Sequence, residues 1–159
     1  MCRKLSPILD NARLNGLTAT QSLGAQIATG LQRGDCVALY GDLGAGKTTL
    51  ARAVLRALGV VEAVPSPTFT LVQTYETPRL VVHHFDLYRL ESPEEILELG
   101  LDDALAEGAA LVEWPENAGR YLPDDALCVT LSGGCDTRFV TLDGPASWAR
   151  IFKEPHVRT

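Results

Sequence analysis

Residues 40–59 read YGDLGAGKTTLARAVLRALG, and they set the fold. Gly41 and Gly46 bracket four residues, and Lys47-Thr48 follow directly. Glycines let backbone N–H groups turn inward with no Cβ in the way. Such amides, together with a helix N-terminus, hold phosphate oxygens. The pattern needs a strand before it and a helix after it. DCVALY (35–40) is a short apolar run of strand type. The stretch from about 47 to 58 reads as a helix whose Leu50, Val54, Ala57 and Leu58 form a stripe toward a sheet, with Gly59 ending it. Asp42, Leu43, Gly44, Ala45, Gly46, Lys47, Thr48 and Thr49 are therefore the expected nucleotide-binding residues. Lys47 is expected at the outer phosphates, and the Thr48 hydroxyl at Mg²⁺.

Outward from this loop, TATQSLGAQIATGL (18–31) reads as a helix, with Thr18 and Gln21 spaced as a capping box. Residues 1–17 read as irregular. After VPSPTFT (64–70), FTLVQTYE and LVVHHFDLY are joined by the short connector TPR, which predicts a hairpin. Ser92-Pro93-Glu94-Glu95 opens another helix. ALVEW (110–114) reads as a buried strand. ALCVTLSG and RFVTLDG form an antiparallel pair, and a short helix surrounds Trp148. The expected fold is α/β: one P-loop domain over 1–159, its mixed, mostly parallel sheet flanked by helices and ending in antiparallel strands. Residues 143–159 are its C-terminal helix and tail.

A P-loop requires an acid at the end of a buried strand to complete a metal site. Asp86 ends LVVHHFD and Glu113 ends ALVE. One would bind Mg²⁺ directly or through water, and the other would position the attacking water or share the metal; the residues alone leave open which does which. Thr68 sits in a proline-stiffened loop and is a candidate γ-phosphate switch. Trp114 is a core residue or a partner or base contact, with core favoured by residue type. His83 and His84 read as packed or hydrogen-bonded histidines, and Arg52 and Arg89 as solvated surface arginines. Residues Thr18–Thr20 are the expected neighbours of the base.

Composition narrows the function. The 159 residues carry a formal net charge of −6 with only 14 Lys and Arg. Direct, charge-driven nucleic-acid binding needs a basic face. No signal peptide or membrane span is evident near the N-terminus, which makes a cytoplasmic location the expectation. Cys2, Cys36, Cys128 and Cys135 include no C-x-x-C pair, and they read as reduced thiols rather than a disulfide or metal site.

GDLGAGKTTL, SPTFTLV, HFDLYRL, LGL (99–101) and LVEWPE occur in that order. Together they resemble the bacterial TsaE (YjeE) family, over roughly residues 18 to 123. The resemblance implies a cytoplasmic ATPase using ATP and Mg²⁺. It implies two partners, a TsaD-like and a TsaB-like protein. Those partners transfer a threonylcarbamoyl group to the adenosine beside the tRNA anticodon, so tRNA is touched only indirectly and no membrane is involved. ATP hydrolysis supports their repeated turnover. By position, Lys47 and Thr48 match the P-loop pair, Asp86 the acid of HFDLYRL, Glu113 and Trp114 the EW pair, and Thr68 the threonine of the SPT loop. Leu50 replaces a common phenylalanine, and Ala53 stands where glycine is frequent. A small-molecule kinase is the first rival reading, against which no Arg-rich lid segment is found. A non-enzymatic nucleotide-gated binding module is the second. A GTPase fits less well, because N-K-x-D is absent and the asparagines are only Asn11, Asn15 and Asn117.

Overall fold

A computed structural model describes residues 6–67, 70–134 and 137–153 of the chain. The element order is β1 (Ser6–Asn15), α1 (Gly16–Gly30), β2 (Cys36–Tyr40), α2 (Lys47–Ala57), β3 (Val72–Glu76), β4 (Val81–Asp86), α3 (Glu95–Leu99), α4 (Leu101–Glu107), β5 (Ala109–Glu113), a 3-10 turn over Pro115–Tyr121, β6 (Leu127–Gly133), β7 (Thr137–Gly144) and α5 (Ala146–Lys153). The strands form one sheet in the order β1-β7-β6-β2-β5-β4-β3. The central four, β6-β2-β5-β4, are parallel. The outer pairings β1–β7, β6–β7 and β3–β4 are antiparallel. The mixed sheet is as the sequence predicts, and its parallel part is this centre.

Alternation along each strand divides the core into two layers. Val37, Leu39, Val82, Leu111, Val129, Val140 and Leu142 face α1, α2 and α5. Ala38, Phe85, Ala110, Val112 and Cys128 face α3, α4 and the 3-10 turn. Each fully buried Leu, Ile or Phe contributes about 1.5–3 kcal/mol, so both faces of the sheet are anchored. This α/β/α sandwich explains why β5 is buried at every position. A strand covered on both sides carries no polar stripe.

α1 and α2 lie against each other very closely. A Cβ at Gly24 would stand 2.4 Å from the Cβ of Ala53 and 2.9 Å from its carbonyl carbon. The glycine on α1 is what admits the alanine on α2.

Three sequence expectations change. Residues 6–15, expected to be irregular, form β1 at the sheet edge. Register shifts between Pro7 and Leu9 and between Leu9 and Ala12, with Asn11 at φ 52°, interrupt its alternation. α1 starts at Gly16 after an Asn15 N-cap that makes no side-chain bond, so Thr18 and Gln21 are inside the helix and form no capping box. Cys36 is buried and free, as expected. Cys128 is disulfide-bonded, which corrects its reading as a reduced thiol.

Candidate functional site

The same alternation builds the site. Val82 and Leu111 face α2, so His84 and Asp86 on β4 and Glu113 on β5 face it too. Asp86 and Glu113 are register partners at the C-terminal ends of adjacent parallel strands. The P-loop follows the C-terminal end of β2, the next strand over. Both acids therefore arrive at the N-terminus of α2, and both are buried.

Gly46 caps α2 at φ 107°, ψ 16°, with no side-chain cap and no acid in the first turn. A left-handed conformation there favours glycine. The first bond of the helix ladder runs from the Leu50 N–H to the Gly46 carbonyl. The amides at the head of the helix consequently have no intrahelical acceptor, and the helix dipole adds partial positive charge there. This is an anion cradle formed from the backbone alone.

Glu113 is the hub of the side chains. Thr48 Oγ1 donates to its carboxylate at 2.8 Å and 3.0 Å. His84 Nε2 lies 2.7 Å from the Glu113 Oε2, with the imidazole fully buried. A threonine that gives its proton to a carboxylate keeps its oxygen lone pairs for a cation. Asp86 accepts from the Tyr88 amide at 3.0 Å and faces Ser66 Oγ at 3.5 Å. The result is a set of hard oxygens: one hydroxyl and two carboxylates beside a phosphate cradle. It suits Mg²⁺, which prefers oxygen ligands and keeps waters and substrate phosphates in its shell. No cluster of three or more His, Cys, Asp or Glu that could hold a metal by itself occurs among the described residues.

Lys47 is a buried residue, and its ammonium has partners in the loop. It donates to the carbonyl of Gly41, and to that of Asp42 at 3.1 Å. Burial pushes its pKa below the ordinary lysine value, and Glu113, Glu116, Asp86 and Asp42 pull the other way. Its nitrogen also lies 3.9 Å from the centroid of the Trp114 ring. Trp114 sits just past β5 with left-handed backbone at φ 57°, and its ring meets Tyr88 at 5.0 Å. ALVEW reads as a strand to residue 114, but β5 ends at Glu113; Trp114 packs partly buried against the second core layer, as the core reading expects, and also lines the cleft. The left-handed turn takes the half-buried indole out of the strand and onto the cleft.

The cleft, about 420 Å³, is lined by Gly44, Gly46, Lys47, Thr48, Thr49, Ser66, Asp86, Glu113 and Trp114, among others. Leu43 projects from the loop tip and is 77% exposed. Ala45 is buried in the core beneath, and Asp42 accepts the Ala45 N–H in the loop turn. Thr68 lies outside the described residues. Near the expected base region, Leu17 and Gln21 border a second cavity of about 550 Å³ shared with Thr49, Arg52 and Ala53. Arg52 is tied to the Val64 carbonyl at 2.7 Å. His83 points to the opposite layer, between Thr74 at 3.1 Å and Glu107 at 2.9 Å. Sequence reasoning missed His84 as the partner of Glu113, although alternation with Asp86 carries that signal. It also missed Arg138, which reaches this cleft from β7.

A sequence model of the family described as "Threonylcarbamoyl adenosine biosynthesis protein TsaE" matches residues 14–139. The chain belongs to the TsaE family. It is 43% identical over 119 residues to the tRNA threonylcarbamoyladenosine biosynthesis protein TsaE of Rickettsia bellii, spanning 74% of this chain and 83% of that one. To the TsaE of Bacillus subtilis it is 37% identical over 124 residues, 77% of each chain. The crystal structure of Bacillus subtilis YdiB superposes with a TM-score of 0.74 at 28% identity, covering 95% of this chain and 93% of that one. The P-loop α/β fold and the place of this TsaE chain in tRNA threonylcarbamoyladenosine biosynthesis follow from these matches. The TsaE match runs to residue 139 and so extends past 123, where the motif resemblance ends.

Proposed function

We propose that the chain binds ATP with Mg²⁺ and hydrolyses it, as the ATPase subunit that sustains turnover of the tRNA threonylcarbamoyladenosine machinery. The observation that carries this reading is the Thr48–Glu113–His84 chain beside an uncapped helix N-terminus. A pure binding module has no need of a buried carboxylate fixed on the P-loop hydroxyl, with a second carboxylate on the next strand.

In this reading residues 42–49 hold the phosphates, and Thr48, Asp86 and Glu113 hold the metal. Bound Mg²⁺ would neutralise charge that develops on the phosphate oxygens. Lys47 leaves the loop carbonyls and the Trp114 face to meet the outer phosphates, where an ammonium stabilises the transition state. His84 fixes the orientation of Glu113. Glu113 and Asp86 together position water at the γ-phosphate. Tyr88 and Trp114 narrow the cleft mouth and limit access of bulk water.

The partners proposed are a TsaD-like and a TsaB-like protein. Contact with tRNA is indirect, consistent with the net charge of −6. No helix among the described residues is long and apolar enough to cross a membrane, and the proposed location is the cytoplasm. The test is single-turnover hydrolysis of ATP with both partners present. Lys47→Ala should lower the rate by about 10²–10³-fold, the usual effect of losing one transition-state donor. A rate equal to wild type would refute the assignment. Transfer of phosphate to a small acceptor, instead of release as free phosphate, would favour the kinase reading.

A further inference from the structure

We infer that Arg138 binds the diphosphate portion shared by ADP and ATP, an inference that rests on the nucleotide-binding reading above. The residue comes from the far side of the sheet. β7 runs antiparallel to β6, and β6 runs parallel to β2. The start of β7 therefore lies at the same end of the sheet as the P-loop. Val140 and Leu142 face the α2 layer, so Arg138, two positions earlier, faces it as well.

The contact itself is close. A Cβ on Gly46 would lie 3.0 Å from Arg138 Nη1, 3.1 Å from Cζ and 3.2 Å from Nε. Three atoms of the fork at nearly equal distance place the guanidinium face-on against the glycine that caps α2. The same side chain lines the cleft with Lys47, Thr48 and Thr49. Its Nε is buried with no hydrogen-bond partner, and among the described residues no ion pair involves it. A buried donor on a permanent cation is costly to leave unmet. Its planar fork matches phosphate oxygens two at a time.

The glycine that Arg138 covers is the cap of α2, where the unpaired amides of the phosphate cradle begin. Arg138 approaches from the Gly46 side. Placed there, it holds phosphates that remain after hydrolysis, and it acts on affinity rather than on the chemical step.

The experiment is calorimetric titration of the full chain with MgADP and with a slowly hydrolysed MgATP analogue. Wild type, Arg138→Met, Arg138→Lys and Lys47→Ala are compared, alongside melting of each unliganded protein. Arg138→Met should weaken both ligands about 10- to 100-fold. Arg138→Lys should recover part of the loss. The unliganded Met variant should melt at or above the wild-type temperature, because it removes an unpaired buried donor; a merely structural arginine would lower it. If wild type binds and Arg138→Met binds MgADP equally well, the inference falls and the nucleotide reading stands. Equal destabilisation of both unliganded Arg138 variants also overturns it. If wild type binds neither ligand, the nucleotide reading fails and takes the inference with it.

Discussion

Gly24→Ala tests the packing that holds the P-loop helix in place. A Cβ there would lie 2.4 Å from the Ala53 Cβ and 3.0 Å from the Val54 nitrogen. Unbonded carbons rest at about 3.5–4.0 Å, so the helices must part by roughly 1 Å. The neighbours are backbone atoms and a methyl group, and no flexible side chain can yield. Overpacking of this kind costs about 1–3 kcal/mol, with the upper part of that range expected here. Alanine returns about 1 kcal/mol of helix propensity. The net loss is about 1–2 kcal/mol. A domain of this size should then melt roughly 2–4 °C lower per kcal/mol. Because α2 begins at Lys47, nucleotide affinity should fall as well. Gly24→Ala combined with Ala53→Gly exchanges the two sides of the contact. It should restore much of both losses, giving a favourable coupling of about 1–2 kcal/mol. Urea titration of the four proteins measures this. If the Gly24→Ala midpoint matches or exceeds wild type, or if the double variant equals the sum of the singles, the packing argument is wrong.

Other expectations follow from the site. Glu113→Gln keeps the shape of the Thr48 and His84 contacts but removes the charge; it should lower ATP turnover at least about 100-fold while leaving the melting temperature within about 2 °C of wild type or above it. Nucleotide addition should change tryptophan emission through Trp114, because Lys47 leaves its ring. The signal should persist in Trp148→Phe and vanish in Trp114→Phe, since Trp148 is buried with α1 and α5. The pH dependence has a definite sign. Burial lowers the Lys47 pKa and binding uses the ammonium, so affinity should be flat at low pH. It should then fall by up to tenfold per pH unit from a point below 10.5. Lys47→Arg should show no such fall, and an unbroken wild-type plateau to pH 10.5 would contradict the assignment. The Cys36 thiol is pushed up to about 12 by burial, with Asp125 and Asp35 adding to the effect. It should resist thiol reagents at pH 8 in the native protein and react on unfolding; rapid native-state labelling would count against its burial.

The strand–loop–helix unit around Lys47 was legible because each of its residues serves a local need. Glycine supplies the turn, lysine the charge, and apolar spacing the helix face. Asp86 and Glu113 were legible because each ends an apolar run, and parallel pairing then sets them side by side. β1 was not legible, because its bulges place Ile8 and Leu9 in succession and put Asn11 in the left-handed region. A strand with broken alternation has no period for sequence reading to find. Trp114 looked like a strand residue, since nothing in LVEWPE announces a left-handed turn before Pro115. Arg138 was out of reach for a different reason. Its role depends on β7 standing beside β6 and β6 beside β2, a long-range order that no local pattern records.

The sheet order also governs how the molecule is made. Among the described residues, β1 pairs only with β7. On the ribosome the earliest strand must wait for the latest, and β2 lacks one flank until β6 has emerged. Long-range pairing of this kind slows folding and leaves strand edges open meanwhile. A nascent chain halted before about residue 127 would carry Lys47, Asp86 and Glu113 yet have no finished wall on which to hold them.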